Sequence, residues 1–276
     1  MKYCDLHLHT VYSDSTYTPE ELARKASGAG LGAIAVTDHD TVSGIAPAIE
    51  AAKQYNIEVI PAIELTAELN GLEVHILGYF IDYLEKNFVK KLESLKEVRI
   101  RRLYKMIEKL QALGIPLNAD SVLGMCHEKG SVGRLHIARA LVKEGYCRHI
   151  GEAFEKYIGD KGPAYVCGFR FKPAEVIRMI RNTAGGCCVL AHPYSLRNDT
   201  LIPALVDEGI QGLEVYYPEH NASMTERYKS MAREYGLVLT GGSDCHGSAK
   251  PESRIGSIKV PYELAEKLKG ARGRKL

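Results

Sequence analysis

Six of the ten histidines, with two aspartates and one glutamate, fall in short motifs at or just past the ends of predicted strands. His7 and His9 stand in DLHLHT with Asp14 close behind, His39 in TDHD, and Glu64 after VIPAI. His75 stands in VHILGY, His192 in LAHP, and Asp244 and His246 in GSDCHG. Imidazole nitrogens and carboxylate oxygens hold Zn, Mn or Fe, and a set without thiolate does not choose among them. Two residues apart on a strand, His7 and His9 share one face, as do Asp244 and His246, while Cys245 between them points away as an apolar filler. A single H-x-H is often only a surface pair, but nine such residues spread along the chain are not explained by packing. Glu64 can offer one oxygen to each of two cations. Cations ~3.5–4 Å apart stabilise the attacking and leaving oxygens of a phosphoryl transfer and turn a bridging water into hydroxide. The pattern is that of a multinuclear metal hydrolase.

Something must gather residues 7 to 246 into one place. A chain of 276 residues, 45% hydrophobic and 25% charged, fits a soluble globular protein with one large barrel-type domain or two smaller ones. A net charge of +2 gives no electrostatic case for duplex DNA. No apolar run reaches the ~20 residues of a membrane span, and the first residues do not read as a signal peptide. Seven scattered cysteines without a C-x-x-C pair suggest reduced thiols and a cytoplasmic protein. Strands are predicted at 2–9, 33–37, 58–65, 72–80, 187–191, 212–216 and 237–241. Thr18, Pro19, Glu20 and Glu21 open the first helix as cap, N1 proline and first-turn acids, and Asn70-Gly71 makes a turn. Between the fourth and fifth strands the pattern is all-helical, with a long helix at 84–113 and shorter ones at 121–128, 133–144 and 150–158. Seven strands, mostly with helical crossovers, favour a closed parallel α/β barrel, whose chemistry collects at the carboxyl ends of its strands. The expected division is barrel at 1–82, helical insertion at 83–165 and barrel again at 166–276. A last helix at 262–269 leads into a basic tail at 270–276 that should fray.

These motifs, in this order, resemble the polymerase and histidinol phosphatase (PHP) family of metal-dependent phosphoesterases. The resemblance spans nearly the whole chain outside the insertion. It implies a distorted seven-stranded (β/α)7 TIM-like barrel with an all-helical insertion after the fourth strand. Within the family the chain is similar to nucleoside 3',5'-bisphosphate phosphatases and 5'-to-3' exoribonucleases. The run GRLHIARAL at 133–141 and Tyr217-Pro218-Glu219-His220 carry that likeness, although the subgroup usually has proline where this chain has Leu135. By resemblance, His7, His9 and Asp244 hold a first cation that Glu64 bridges to a second. His75 and His192 complete the second, and Asp14, His39 and His246 hold a third. Two or three Mn²⁺ ions are implied, with Fe or Zn as alternatives.

Phosphate also needs fixed donors. Arg134 and His136, at the start of a helix that faces the cleft by resemblance, are candidates for substrate binding, Arg134 also for stabilising developing charge. His220 is a candidate for phosphate contact or leaving-group protonation. Asp38 and Asp40 flank His39 as partners for imidazole N–H groups or as turn residues. The long helix carries nine basic residues between Lys86 and Lys109, densest at Arg99, Arg101 and Arg102. That stripe is either a polyanion surface or a solvated face with i,i+4 pairs such as Glu97 with Arg101. His127 and His149 read as surface residues, and the reach of Lys161 and Arg170 stays open. The expected activity is hydrolysis of a phosphate monoester on a small nucleotide by metal-bound hydroxide, with short 5'-phosphorylated RNA as the rival substrate. Histidinol phosphatase, amide hydrolysis and a non-catalytic metal-binding module are the further alternatives.

Overall fold

Short aliphatic runs make the strands: β1 Tyr3–Leu8, β2 Ala33–Val36, β3 Glu58–Leu69, β4 Leu72–Tyr79, β5 Cys187–Leu190, β6 Gly212–Tyr216, β7 Val238–Gly241 and β8 Val260–Pro261. The computed structural model describes residues 2–167 and 171–273, so Arg170 and the end of the basic tail lie outside the described residues. The strands pair in the order β7-β6-β5-β4-β3-β2-β1-β8. β1 to β3 run parallel, β5 to β7 run parallel, and β4 is antiparallel to both its neighbours. Just past β7, the Asp244 N–H donates to the His7 carbonyl at 2.9 Å and the His9 N–H to the Cys245 carbonyl at 3.2 Å. The sheet therefore almost closes into a barrel. Gly242 permits that seam, because a Cβ there would lie 2.4 Å from the His7 backbone nitrogen.

Two features differ from the expected seven parallel strands. Asn70 and Gly71, at φ 52° and 81°, form a tight left-handed turn, which sends β4 straight back along β3. The eighth strand is the pair Val260–Pro261, antiparallel to β1 and too short to leave a periodicity in sequence.

Helices α1 Pro19–Gly28 and α2 Ile45–Ala52 pack outside the first strands. The Thr18 hydroxyl and the Glu21 carboxylate cap the start of α1 reciprocally. After β4 come α3 Lys86–Ala112, α4 Ala119–Leu123, α5 Arg134–Lys143 and α6 Ile150–Ala153. Phe88, Leu92 and Leu95 of α3 join the barrel's outer core, whereas Leu103, Met106 and Leu110 belong to a separate core with Ile137 and Leu141 of α5. One helix thus spans two cores. The remaining helices are α7 Pro173–Arg178, α8 Ile202–Asp207, α9 Ala222–Glu234 and α10 Tyr262–Ala271. α10 runs two residues past its expected end and is tied by Gln211 to the Ala271 carbonyl at 2.6 Å. Together with the Tyr262 N–H to Lys2 and Arg272 to Gly185, that bond fixes α10 across the amino ends of β1, β5 and β6. No helix among the described residues is long and apolar enough to cross a membrane.

Candidate metal centre

At the end of the barrel opposite α10, all nine expected ligand residues come together. On β1, Cys4 and Leu6 face the inner core and Leu8 the outer one, and the pairing with β2 slips between Asp5 and Leu8. That bulge changes which side chains point inward and turns His7 and His9 into the centre. His39 follows β2, and Glu64 lies within β3. His75 reverses the expected rule. Because β4 runs antiparallel, this end of the barrel receives its amino half, so His75 precedes rather than follows its strand's carboxyl end. His192 (φ 25°) and Asp244 (φ 50°) hold left-handed backbone at the strand ends, strain of about 1–3 kcal/mol each that such sites commonly store.

Glu64 is the hub. Its Oε2 lies 3.2 Å from His7 Nε2, 3.3 Å from His9 Nε2 and 3.2 Å from His39 Nδ1. Its Oε1 lies 2.9 Å from His75 Nδ1 and 3.1 Å from His192 Nε2. Asp244 Oδ1 sits 3.3 Å from His7 Nε2 and 3.1 Å from His9 Nε2, and Asp14 Oδ1 sits 3.2 Å from His246 Nε2. Three sets of donor atoms draw close enough to hold a cation: His7, His9, Glu64 and Asp244; His39, Glu64 and His75; and His9, Asp14, His39 and His246.

The far nitrogens decide what these rings present. His7 Nδ1–H donates to Glu214 at 2.9 Å, His75 Nε2–H to Glu73 at 3.1 Å, and His246 Nδ1–H to the Asp244 carbonyl at 2.9 Å. His192 Nδ1 meets Ser195 Oγ at 3.1 Å, and His9 Nδ1 meets Ser13 Oγ at 3.4 Å. Neutral rings so tied turn a lone pair toward carboxylate oxygens that are themselves acceptors. Four of the converging atoms, His9 Nε2, Asp14 Oδ1, His39 Nδ1 and His75 Nδ1, are buried and make no hydrogen bond. Acceptors facing acceptors at about 3 Å are what a divalent cation between them requires, so the donor set fits metal. In the metal-free protein the surrounding carboxylates favour protons on His7, His9 and His75, while burial holds His39 well below the ordinary imidazole value. Burial alone would lower His75, yet Glu64 and Glu73 lift its pKa to about 10. Burial alone would raise Glu64, and His39, His75 and His7 hold it well below the ordinary carboxylate range.

Above this bed lies a cleft of about 840 Å³, lined by the metal-site residues, by α5 and α6, and by Ser248 to Glu252. Arg134 lines it, with one guanidinium nitrogen 2.7 Å from Asp160 and another 3.3 Å from Glu73. Lys250 lines it too, 2.9 Å from Asp244 Oδ2 and 3.3 Å from Glu219. Other candidates lie elsewhere. Asp38 is buried and accepts from the Thr10 N–H, the Thr10 hydroxyl and the Ser13 hydroxyl at 2.6–2.7 Å, so it braces His9 through Ser13 and does not face the cleft. His220 donates from Nδ1 to the Val215 carbonyl at 2.9 Å and packs among the rings of Tyr194, Tyr217 and Tyr228, away from the cleft. His136 is buried, and its Nδ1 accepts the Gly133 N–H at 3.1 Å to cap its own helix. Burial pushes its pKa down to about 4.

Two of the three arginines in the dense basic patch of the long helix, Arg99 and Arg102, are internal. Arg99 donates to Asp40, Thr66 and the Val132 carbonyl, and Arg102 to Glu73 and the Val166 carbonyl. Arg101 is exposed and meets Glu97 at 3.6 Å. Lys161 is exposed and off the cleft. His149 is exposed as expected, although it also caps α6 and lines the cleft wall, and His127 is half-buried against Tyr12. Sequence reasoning missed Glu73, Glu214 and Lys250. The signal for both glutamates was a lone acid inside an apolar strand, Leu-Glu-Val in each case.

A family model for the PHP domain matches residues 5–157. The chain is 32% identical over 250 residues to a 5'-3' exoribonuclease of Haemophilus influenzae, covering 89% of this chain and 90% of that protein. It is 31% identical over 262 residues to a 3',5'-nucleoside bisphosphate phosphatase of Chromobacterium violaceum, covering 93% and 91%. A crystal structure from Bifidobacterium adolescentis, of a protein assigned as a metal-dependent phosphoesterase, superposes with a TM-score of 0.89 at 31% identity, covering 98% of this chain and 96% of that one.

Proposed function

The chain belongs to the PHP family of metal-dependent phosphoesterases, and from that premise we propose that it hydrolyses the 3'-phosphate of nucleoside 3',5'-bisphosphates. The observation that carries this reading is the two-sided cleft. Its floor is the bed of imidazoles and carboxylates, with Arg134 and Lys250 as cations beside it, and its far wall is Leu135, Val142, Ile150 and Phe154. A volume of about 840 Å³ falls within the ~300–1,000 Å³ of small-molecule sites. One end suits phosphate and the other a nucleoside. Residues 83–165 act as the lid that supplies the apolar wall and limits substrate length.

His7, His9, Asp14, His39, Glu64, His75, His192, Asp244 and His246 would hold two or three Mn²⁺ ions, and the same donor set suits Fe or Zn. When bound, these cations supply a water of lowered pKa as nucleophile and neutralise charge at phosphorus. Glu214 and Glu73 keep the His7 and His75 lone pairs turned inward, and Asp38 does the same for His9 through Ser13. Arg134 holds a non-reacting phosphate oxygen and opposes the charge that grows on it. Lys250 fixes Asp244 Oδ2, which leaves Oδ1 to the bed. The apolar wall keeps bulk water from the phosphoryl group.

The likeness to an exoribonuclease favours a second reading, stepwise removal of 5'-nucleotides from short 5'-phosphorylated RNA. Against it, Arg99 and Arg102, two of the three arginines at the densest part of the basic stripe, are buried and paired with Asp40 and Glu73 rather than presented to solvent. The test uses metal-stripped protein reloaded with Mn²⁺ and given adenosine 3',5'-bisphosphate or a short 5'-phosphorylated RNA. Rapid phosphate release from the bisphosphate with slow RNA trimming is expected. The reverse order of rates would establish the exoribonuclease, and silence on both would refute the substrate assignment and turn attention to histidinol phosphate. Asp14→Ala and His192→Ala should each abolish turnover in a folded protein, and retained activity in either would refute the ligand assignment.

A further inference from the structure

Glu73 stands where the metal bed and the cleft arginine meet. It lies on β4 two residues before His75, and its side chain is 8% exposed. One carboxylate takes three cationic or polarised partners: His75 Nε2 at 3.1 Å, Arg102 at 2.9 Å and Arg134 at 3.3 Å. On one side the imidazole turns its Nδ1 to Glu64 at 2.9 Å. On the other, the Arg134 guanidinium lines the cleft and is held from behind by Asp160 at 2.7 Å. Arg102 is also anchored to the Val166 carbonyl at 2.8 Å, and its side chain is 6% exposed, so of the two arginines Arg134 is the better placed to change partners.

We propose that Glu73 is a positioning residue that couples cation binding at His75 to the readiness of Arg134 to hold phosphate. The inference rests on the metal and phosphate reading given above. A cation on His75 Nδ1 makes the Nε2–H more positive and strengthens its charge-assisted bond to Glu73. The carboxylate then gives less of its charge to Arg134, whose own charge becomes available to an anion in the cleft. Linkage makes the effect reciprocal: an anion that draws Arg134 away leaves Glu73 to His75 and tightens the cation. Filling the bed and receiving the substrate thus reinforce each other through one carboxylate. A glutamine at 73 would keep the shape and an acceptor oxygen but remove the shared charge.

Mn²⁺ affinity, measured by calorimetry without phosphate or nucleotide, separates this coupling from turnover. The proteins are wild type, Glu73→Gln, Arg134→Ala and the double variant. Glu73→Gln should weaken Mn²⁺ binding about tenfold, the scale for losing an acid behind a ligating histidine. Arg134→Ala should tighten Mn²⁺ in wild type by about threefold more than in the Glu73→Gln background, since contacting residues in one network are not additive. Direct repulsion between Arg134 and the cations acts in both backgrounds and cancels in that comparison. Additive effects, or a Glu73→Gln protein with wild-type affinity, would overturn the inference while leaving the metal site standing. A wild-type protein that binds no Mn²⁺ would overturn the metal reading itself, a distinct result.

Discussion

Burial would lower the pKa values of His9 and His75, yet the carboxylates around them lift these to about 9 and about 10. In metal-free protein both rings are therefore protonated at neutral pH, and a cation must displace those protons. Because the pKa values are raised, affinity should climb as pH rises through the neutral range and level off only near pH 9 to 10. Each displaced proton contributes about a factor of ten per pH unit. Calorimetry of Mn²⁺ binding in two buffers of different ionisation enthalpy measures the release directly, and a pH-independent affinity would contradict it. At this scale the sequence was informative about donors and poor about what stands behind them. Histidine and aspartate in short motifs announce themselves, whereas Glu214 reaches His7 from a strand that is not its neighbour in the sheet, and Glu73, two residues before His75 on β4, carries no motif of its own. Asp38 and His220 mislead for the same reason. Their types suggest chemistry, but hydrogen bonds from Thr10 and Ser13, and to the Val215 carbonyl, commit them to bracing.

Among the elements, α3 shows periodicity and a solvated face with the Glu97–Arg101 pair as expected, but two of its arginines placed inside. The expected helix at 84–113 is observed at Lys86–Ala112, with its apolar stripe buried. Arg99 and Arg102 lie on that buried face, where Asp40, Thr66 and Glu73 meet them. Replacing Arg99 with methionine keeps the bulk but leaves Asp40 buried without its partner. Such a change should cost about 3–5 kcal/mol in urea denaturation, and a loss under 1 kcal/mol would show that Asp40 finds compensation. The hairpin is the other instructive element. Asn70-Gly71 marked a turn in sequence, but counting crossovers still favoured parallel strands, because the alternation of strands and helices elsewhere outweighed one dipeptide.

Across the whole molecule, the expected ligands come from strands β1, β3 and β4 and from the loops after β1, β2, β5 and β7. Bound cations therefore cross-link distant parts of the chain and should stabilise the fold by mass action. At a Mn²⁺ concentration about 100-fold above its dissociation constant the gain is about 2.7 kcal/mol. For a chain of this size, chelation should then lower the melting temperature by about 5–10 °C. A scan with and without chelator checks this, and an unchanged Tm would mean that the folded protein binds these cations no better than the unfolded chain does. The α/β class and the clustering of chemistry at one end were legible because both follow from alternating periodicities. The expected closed barrel is found nearly closed, its seam made where Gly242 lets the segment after β7 lie against His7, whereas the antiparallel β4 and the two-residue β8 were not legible.

The reversed strand has one more consequence. Since β4 ends beside the start of β5, the helix that follows it is planted at the base of the barrel, near α10, and climbs the outside to reach the cleft. At 1.5 Å per residue its 27 residues make a mast about 40 Å tall, footed among Phe88 and Leu92 and stayed partway up by Arg99. A tilt of about 3° at the foot would carry the masthead about 2 Å, a little over the rise of one residue. Substitutions at that foot, far from the cleft, are therefore expected to change the space above the bed while leaving its nine residues in place.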